Sequence, residues 1–337
     1  MCEKTDVFFY CKNRKRKNKK PKGFVHFMLK EIIDTSQEIN KNLNAYTQYK
    51  DYSYKFSNII KNGAKVQIFA SNDMVCAATM LKNILEKKYQ IKTKISKLEK
   101  KCGTVYDAND VCIFLNNKKR FSKLIKLANK LKCKKVLITS ESPKNKDKGF
   151  DLVVPVFRER EKIGKLTKSY SVFYSVFLLL INENNFSKIK KACEVIEDLD
   201  IMPIVNFAKE ISECKEVCFW CEDKFEKIIN YYFSNINFNT CKNANMTKGE
   251  FLNKKHIFVV SDNDLFNVFA DSSFCLNNLN KSYLVFGGEK VGEIIKNEEL
   301  YISTIGCGRA IDLVFIFYLQ LIAFYVNLFL GNNPDLL

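Results

Sequence analysis

Residues 65–89, KVQIFASNDMVCAATMLKNILEKKY, change character part-way along. The first seven, KVQIFAS, form a short apolar run of the kind that builds a buried strand. After the polar break, DMVCAATMLKNILEKKY has the length and spacing of a helix, with Asp73 placed to cap its first turn. The same unit recurs downstream as DVCIFLNN (110–117) and RFSKLIKLANKLKC (120–133). KKVLITS (134–140) and FDLVVPV (150–156) add two more strands. Strand, helix, strand, helix, strand predicts a doubly wound parallel sheet with helices on its faces, an α/β fold.

The rest of the chain fits around that unit. Upstream, GFVHFMLKEIIDTSQEINKNLNAY (23–46) reads as an amphipathic helix with Phe27, Leu29, Ile32, Ile33 and Ile39 on its apolar stripe. Downstream, residues 161–181 read as one long apolar helix and 182–209 as a helical connector. Alternation then resumes with EVCFWC (216–221), KFEKIINYYFSNI (224–236), KHIFVVSD (255–262), KSYLVFGG (281–288) and ELYISTI (299–305). Periodicity therefore predicts two α/β domains of the same kind, and names no function by itself.

IDLVFIFYLQLIAFYVNLFLG (311–331) is long and apolar enough to cross a bilayer. Asp312, Gln320 and Asn327 argue against a lipid-exposed span, because polar groups are costly there. A core helix and no membrane contact are the expectation. The N-terminus lacks the layout of a secretion signal, with its basic cluster after a short apolar run, which points to a cytoplasmic address. The 13 cysteines are scattered through apolar runs and read as reduced, buried residues. Cys214, Cys218, Cys221 and Cys241 form the tightest group, but no paired C-x-x-C or neighbouring His completes a zinc set, so no metal and no cofactor is implied. The formal charge of +18 invites a polyanion. KNRKRKNKKPK (12–22), from Lys12 to Lys22, is dense enough to serve as a disordered basic arm for one, RNA included.

Three strings carry a family resemblance. HFMLKEI (26–32) resembles the entry helix of the isomerase half of the glutamine:fructose-6-phosphate amidotransferases, the glucosamine-6-phosphate synthase family. The run 59–95 resembles the first strand and helix of that family's first sugar-isomerase (SIS) domain. FYLQLIAFYVNLFLGNNPD (317–335) resembles its final helix, with Leu319, Gln320, Leu321, Ala323, Val326, Leu328, Gly331 and Asp335 in register. The resemblance implies two tandem SIS domains, each flavodoxin-like: a basic tail at 1–22, a helical entry at 23–60, a first SIS domain at 61–185, a helical connector at 186–210 and a second SIS domain at 211–337 with a closing helix.

The site residues that this resemblance implies are altered. A Cys-Gly-Thr-Ser phosphate turn becomes Ser71, Asn72, Asp73 and Met74, which loses the glycine and adds a carboxylate. A Ser-Gln-Ser-Gly-Glu-Thr loop becomes LNNKKR, with Asn116, Asn117, Lys118, Lys119 and Arg120, where cations at a helix start still suit an anion. KIGKLTKSYS (162–171) retains Ile163, Gly164, Thr167 and Lys168 of a third pocket segment. The catalytic Lys-x-x-Glu pair falls on Ser234 and Asn237, and the ring-opening histidine on Asn253; only Gly249 and Glu250 persist, leaving Glu250 as the candidate base. His256 reads as structural. No glutaminase half and no tail lysine are recognisable. The expectation is a catalytically inactive, carbohydrate-derivative-binding or regulatory partner, as a homodimer or paired with a true synthase. The alternatives are an active phosphosugar isomerase or aminotransferase of amino-sugar synthesis with a rearranged site, and a polyanion-binding scaffold.

Overall fold

The computed structural model describes residues 26–97, 107–117, 121–140, 149–162, 166–182, 184–214, 216–234, 238–241, 254–261, 263–278, 283–295 and 301–336. Three helices lead in: α1 (Phe27–Ile33), α2 (Thr35–Asn44) and α3 (Tyr46–Lys61). The first sheet follows, with β1 (Val66–Ala70), α4 (Val75–Tyr89), β2 (Thr93–Lys97), β3 (Val111–Asn116), α5 (Phe121–Ala128), β4 (Lys134–Thr139) and β5 (Leu152–Pro155). Helices α6 (Lys168–Ile181), α7 (Asn185–Glu197) and α8 (Ile201–Glu213) lead on to β6 (Val217–Trp220), α9 (Glu226–Tyr232), β7 (Phe238–Cys241) and β8 (Lys255–Val259). The chain ends with α10 (Asn263–Asn278), β9 (Tyr283–Gly287), α11 (Glu289–Gly292), β10 (Tyr301–Ser303) and α12 (Ile311–Phe329).

Both sheets are parallel and five-stranded. The first has the order β2-β1-β3-β4-β5 and the second β7-β6-β8-β9-β10, the same path taken twice. Parallel strands buried on both faces read as unbroken apolar runs, and β1, β3, β6 and β9 are buried at every position. Their side chains still alternate. Ile68, Ile113 and Ile138 of the first sheet, and Phe219, Ile257 and Phe286 of the second, enter one shared core. The opposite faces carry smaller clusters: Phe69, Phe114 and Leu137 with Leu124 of α5, and Trp220, Phe258 and Val285 with Phe269 of α10.

Helix α12 lies in the shared core. It packs against α1, α6, α7, α8 and α9. Of its most apolar 18-residue window, 94% is buried within the fold, so its apolar circumference is matched by protein on all sides. Two of its polar side chains donate within the fold: Gln320 Nε2 to Thr167 O and Tyr232 Oη, each at 3.1 Å, and Asn327 Nδ2 to Ala323 O at 2.8 Å.

Several expectations are corrected. The entry segment is not one helix, since Asp34, with ψ near zero, ends α1 and starts α2. The helix predicted over 161–181 begins at Lys168, because Glu161 folds back to accept hydrogen bonds from its first turn. Asp73 does not cap α4; the N-cap is Met74, and Asp73 lies in a 3-10 turn, Asn72–Met74, before it. Strands β2 and β7 were not foreseen, and neither was α10. His256 is fully buried and its Nδ1 accepts Trp220 Nε1–H at 3.0 Å, a structural role.

Candidate functional site

In a doubly wound sheet, ligands bind at the carboxyl ends of the strands where the strand order reverses. The first sheet reverses between β1 and β3, and there the chain brings Ser71, Asn72 and Asp73 beside Asn116 and Asn117, since Ala70 pairs in register with Leu115. Several of these groups already have partners. Ser71 Oγ donates to Asp73, Asn116 Nδ2 to Thr139 Oγ1 at 3.3 Å, and Ser140 Oγ to Asn117 Oδ1 at 3.4 Å. Arg158 reaches across to the carbonyl and side-chain oxygens of Asn117.

At the start of α6, anion-seeking amides already hold a carboxylate. Glu161 Oε1 accepts Thr167 N–H at 2.7 Å, Thr167 Oγ–H at 3.0 Å and Ser169 N–H at 3.0 Å, while Oε2 accepts Ser169 Oγ–H at 2.5 Å. Lys168 is buried and lies 3.6 Å from Glu31. Burial pushes the Glu31 carboxyl up, against the pull of Lys162 N–H and Lys168. Lys118, Lys119, Arg120, Asn237, Glu250 and Asn253 lie outside the described residues; Ser234 is exposed in the turn after α9.

The second sheet reverses between β6 and β8, and sequence reasoning passed this place over. A cleft of about 410 Å³ opens there, walled by the ends of β6, β8 and β10, the start of α12, and α4 and α6 from the first half. Lys224, on the turn after β6, sits 2.7 Å from Asp312 and 3.2 Å from Glu222. Burial works against the Lys224 charge, but Asp312 and Glu222 outweigh it and raise the ammonium above its ordinary value. Burial likewise opposes ionisation of Glu222, yet Lys224 and Lys87 hold its carboxyl below the usual range. Tyr174, kept neutral by burial and by Asp312, donates its hydroxyl to Asp312 Oδ2. Asp312 Oδ1 is buried with no hydrogen-bond partner.

Beside the cleft is a recess of about 300 Å³ lined by Lys88, Lys188, Arg309, Asn182 and Asn185. Arg309 lines both. The signal for this second site was the strand order, which places the turn after β6 where the turn after β1 stands in the first sheet. In the sequence, Asp312 stands out only as a residue ill suited to lipid. Among the described residues, no group of three or more His, Cys, Asp or Glu is arranged to hold a metal ion.

No protein-family model matches the chain, and no curated protein matches it either. Solved structures do. The C-terminal domain of glucosamine-fructose-6-phosphate aminotransferase from Francisella tularensis superposes with a TM-score of 0.62 at 15% identity, over 95% of this chain and 100% of that one. Tagatose-6-phosphate ketose/aldose isomerase from Escherichia coli gives 0.64 at 11% identity, over 93% and 96%. Glucosamine-6-phosphate deaminase from Thermotoga maritima gives 0.53 at 14%, over 92% and 96%. The chain has the two-sheet α/β fold of the SIS phosphosugar isomerases.

Proposed function

We propose that this chain is a non-catalytic SIS-fold protein that binds a carbohydrate derivative and serves as a regulatory or partner subunit. The carrying observation is the start of α6, where Glu161 takes four hydrogen bonds, two from backbone amides and two from the hydroxyls of Thr167 and Ser169. A fixed carboxylate at a helix start competes with a phosphate for the same donors. Asp73 adds a second carboxylate at the β1 turn, and Arg158, the nearby cation, is spent on Asn117. Pairing as a homodimer, or with a true synthase, belongs to this reading. Polyanion binding by the arm from Lys12 to Lys22 is compatible with it.

A second reading, an active isomerase with a rearranged site, draws on the second-sheet cleft, where Lys224, Glu222 and Asp312 bring acid and base groups together. One assay decides between the two. With fructose 6-phosphate, with and without ammonia, the purified chain is expected to form no glucose 6-phosphate or glucosamine 6-phosphate. Turnover above background would overturn the non-catalytic reading.

A further inference from the structure

Among the described residues, the recess between α4, α7 and the start of α12 is lined by three cations and two amides and by no carboxylate. The arrangement is built into the backbone. Gly308 has φ +49°, and a Cβ there would meet Lys188 Cδ at 3.0 Å and Cε at 3.2 Å, so the glycine lets the Lys188 stem lie across the turn that presents Arg309. Lys88 is tethered from the opposite side by the carbonyl of Ile181, the last residue of α6. Asn185 is held by its own bond to Leu178 O at 2.8 Å. Burial lowers the proton affinity of Lys88, and the neighbouring charges of Lys61 and Arg309 lower it further. Like charges brought together, with no counter-ion among the described residues of the lining, suit an anion with several acceptor oxygens, for which Arg and Lys are fitting donors.

The adjoining cleft asks for a different partner. Asp312 Oδ1 is a buried acceptor with no donor, and Glu222 lies at the other end of the Lys224 bridge. Carboxylates that already face an ammonium accept readily from neutral hydroxyls, and a buried acceptor left unpaired costs about 1–3 kcal/mol. Hydroxyl donors on a ligand would remove that cost. The combined space falls within the range of ordinary small-molecule sites.

We propose that recess and cleft are one binding site for a phosphorylated polyol, with the phosphate held by Lys88, Lys188 and Arg309 and the hydroxyls by Asp312 and Glu222, at the second sheet and apart from the crevice of the first. The proposal rests on the non-catalytic binding reading above and gives that binding a place.

The test is calorimetric titration of the full chain with fructose 6-phosphate, inorganic phosphate and fructose, repeated on Arg309→Ala, Lys188→Ala, Asn116→Ala and a control, Lys134→Ala, which removes an equal charge from a distant surface. Unfolding midpoints measured without ligand confirm that each variant folds. Fructose 6-phosphate should bind more tightly than phosphate, and fructose should show no binding. Arg309→Ala and Lys188→Ala should each weaken the ester at least tenfold, with Lys134→Ala unchanged. Equal affinity for phosphate and ester, unchanged binding in folded Arg309→Ala and Lys188→Ala, or no binding by any probe overturns the proposal. Loss of binding in Asn116→Ala alone also overturns it, by moving the ligand to the first sheet while the non-catalytic reading stands. Turnover in the assay above overturns that reading wherever the ligand binds.

Discussion

Asp335 illustrates how one side chain joins the two ends of the described chain. Its carboxylate accepts Met28 N–H at 2.8 Å and Phe27 N–H at 3.2 Å, satisfying amides that α1 leaves open, and lies 3.5 Å from His26 Nδ1. Burial raises its pKa, but His26 and the two amides outweigh burial and hold the carboxyl below its ordinary 3.8. The sign follows. A folded value below the unfolded one means that the unfolded chain takes up the proton first, so the stabilisation is present above about pH 4 and is lost as pH falls through the folded value. Asp335→Ala is expected to cost about 1 kcal/mol at pH 7, within the range of lost helix caps, and less at pH 2. Urea unfolding at both values checks this; an equal loss at both would show that the charge plays no part. Asp335 was legible as a matched position in the sequence, but its partner was not. The bond joins residues 307 apart in the chain, and no local pattern carries that.

At the scale of elements, legibility followed burial. The central strands β1, β3, β6 and β8 are legible because both of their faces are apolar, whereas β2 and β7 lie at sheet edges with exposed polar side chains such as Lys94 and Asn239. An edge strand needs apolar residues on few positions, so its composition resembles a loop. Helix α12 was ambiguous for the opposite reason. A helix surrounded by protein and one surrounded by lipid both want apolar side chains all round. Phe315 shows which surroundings it has, with ring centroids 4.6 Å from Phe225 and 5.5 Å from Phe286. Phe315→Ala should therefore destabilise the fold by about 3–5 kcal/mol in detergent-free buffer, as large-to-small changes in packed cores do. An effect under about 1 kcal/mol in chemical unfolding would mean that α12 is not packed as described. The candidate site divided in the same way. Its first-sheet half was recognisable from motif positions, while Lys224 and Glu222 come from one stretch and Asp312 and Arg309 from another, far along the chain, and only the strand order brings the two together.

For the whole molecule, the consequence of the shared core is mechanical unity. Proteins with two sheets in sequence commonly unfold in steps, because each half has its own core. Here Ile68 of the first sheet and Phe219 of the second belong to one contiguous buried cluster, with α6 and α12 between them. Loss of either sheet would expose apolar surface on the other, at roughly 25 cal/mol for each Å². The chain holds one tryptophan, Trp220, which is fully buried in the second sheet and so reports on that half. Ile68→Ala is expected to remove about 2–5 kcal/mol from a site far from that reporter. If the halves unfold together, the variant shifts the Trp220 fluorescence midpoint in urea, and shifts it equally with the far-ultraviolet circular dichroism midpoint. A fluorescence midpoint that stays in place while circular dichroism splits into two transitions would show that the halves unfold separately. A cleft walled by α4 and α6 on one side and by β6, β8 and β10 on the other keeps its shape only while both halves are folded. Joint unfolding is therefore the behaviour that a ligand site between them requires.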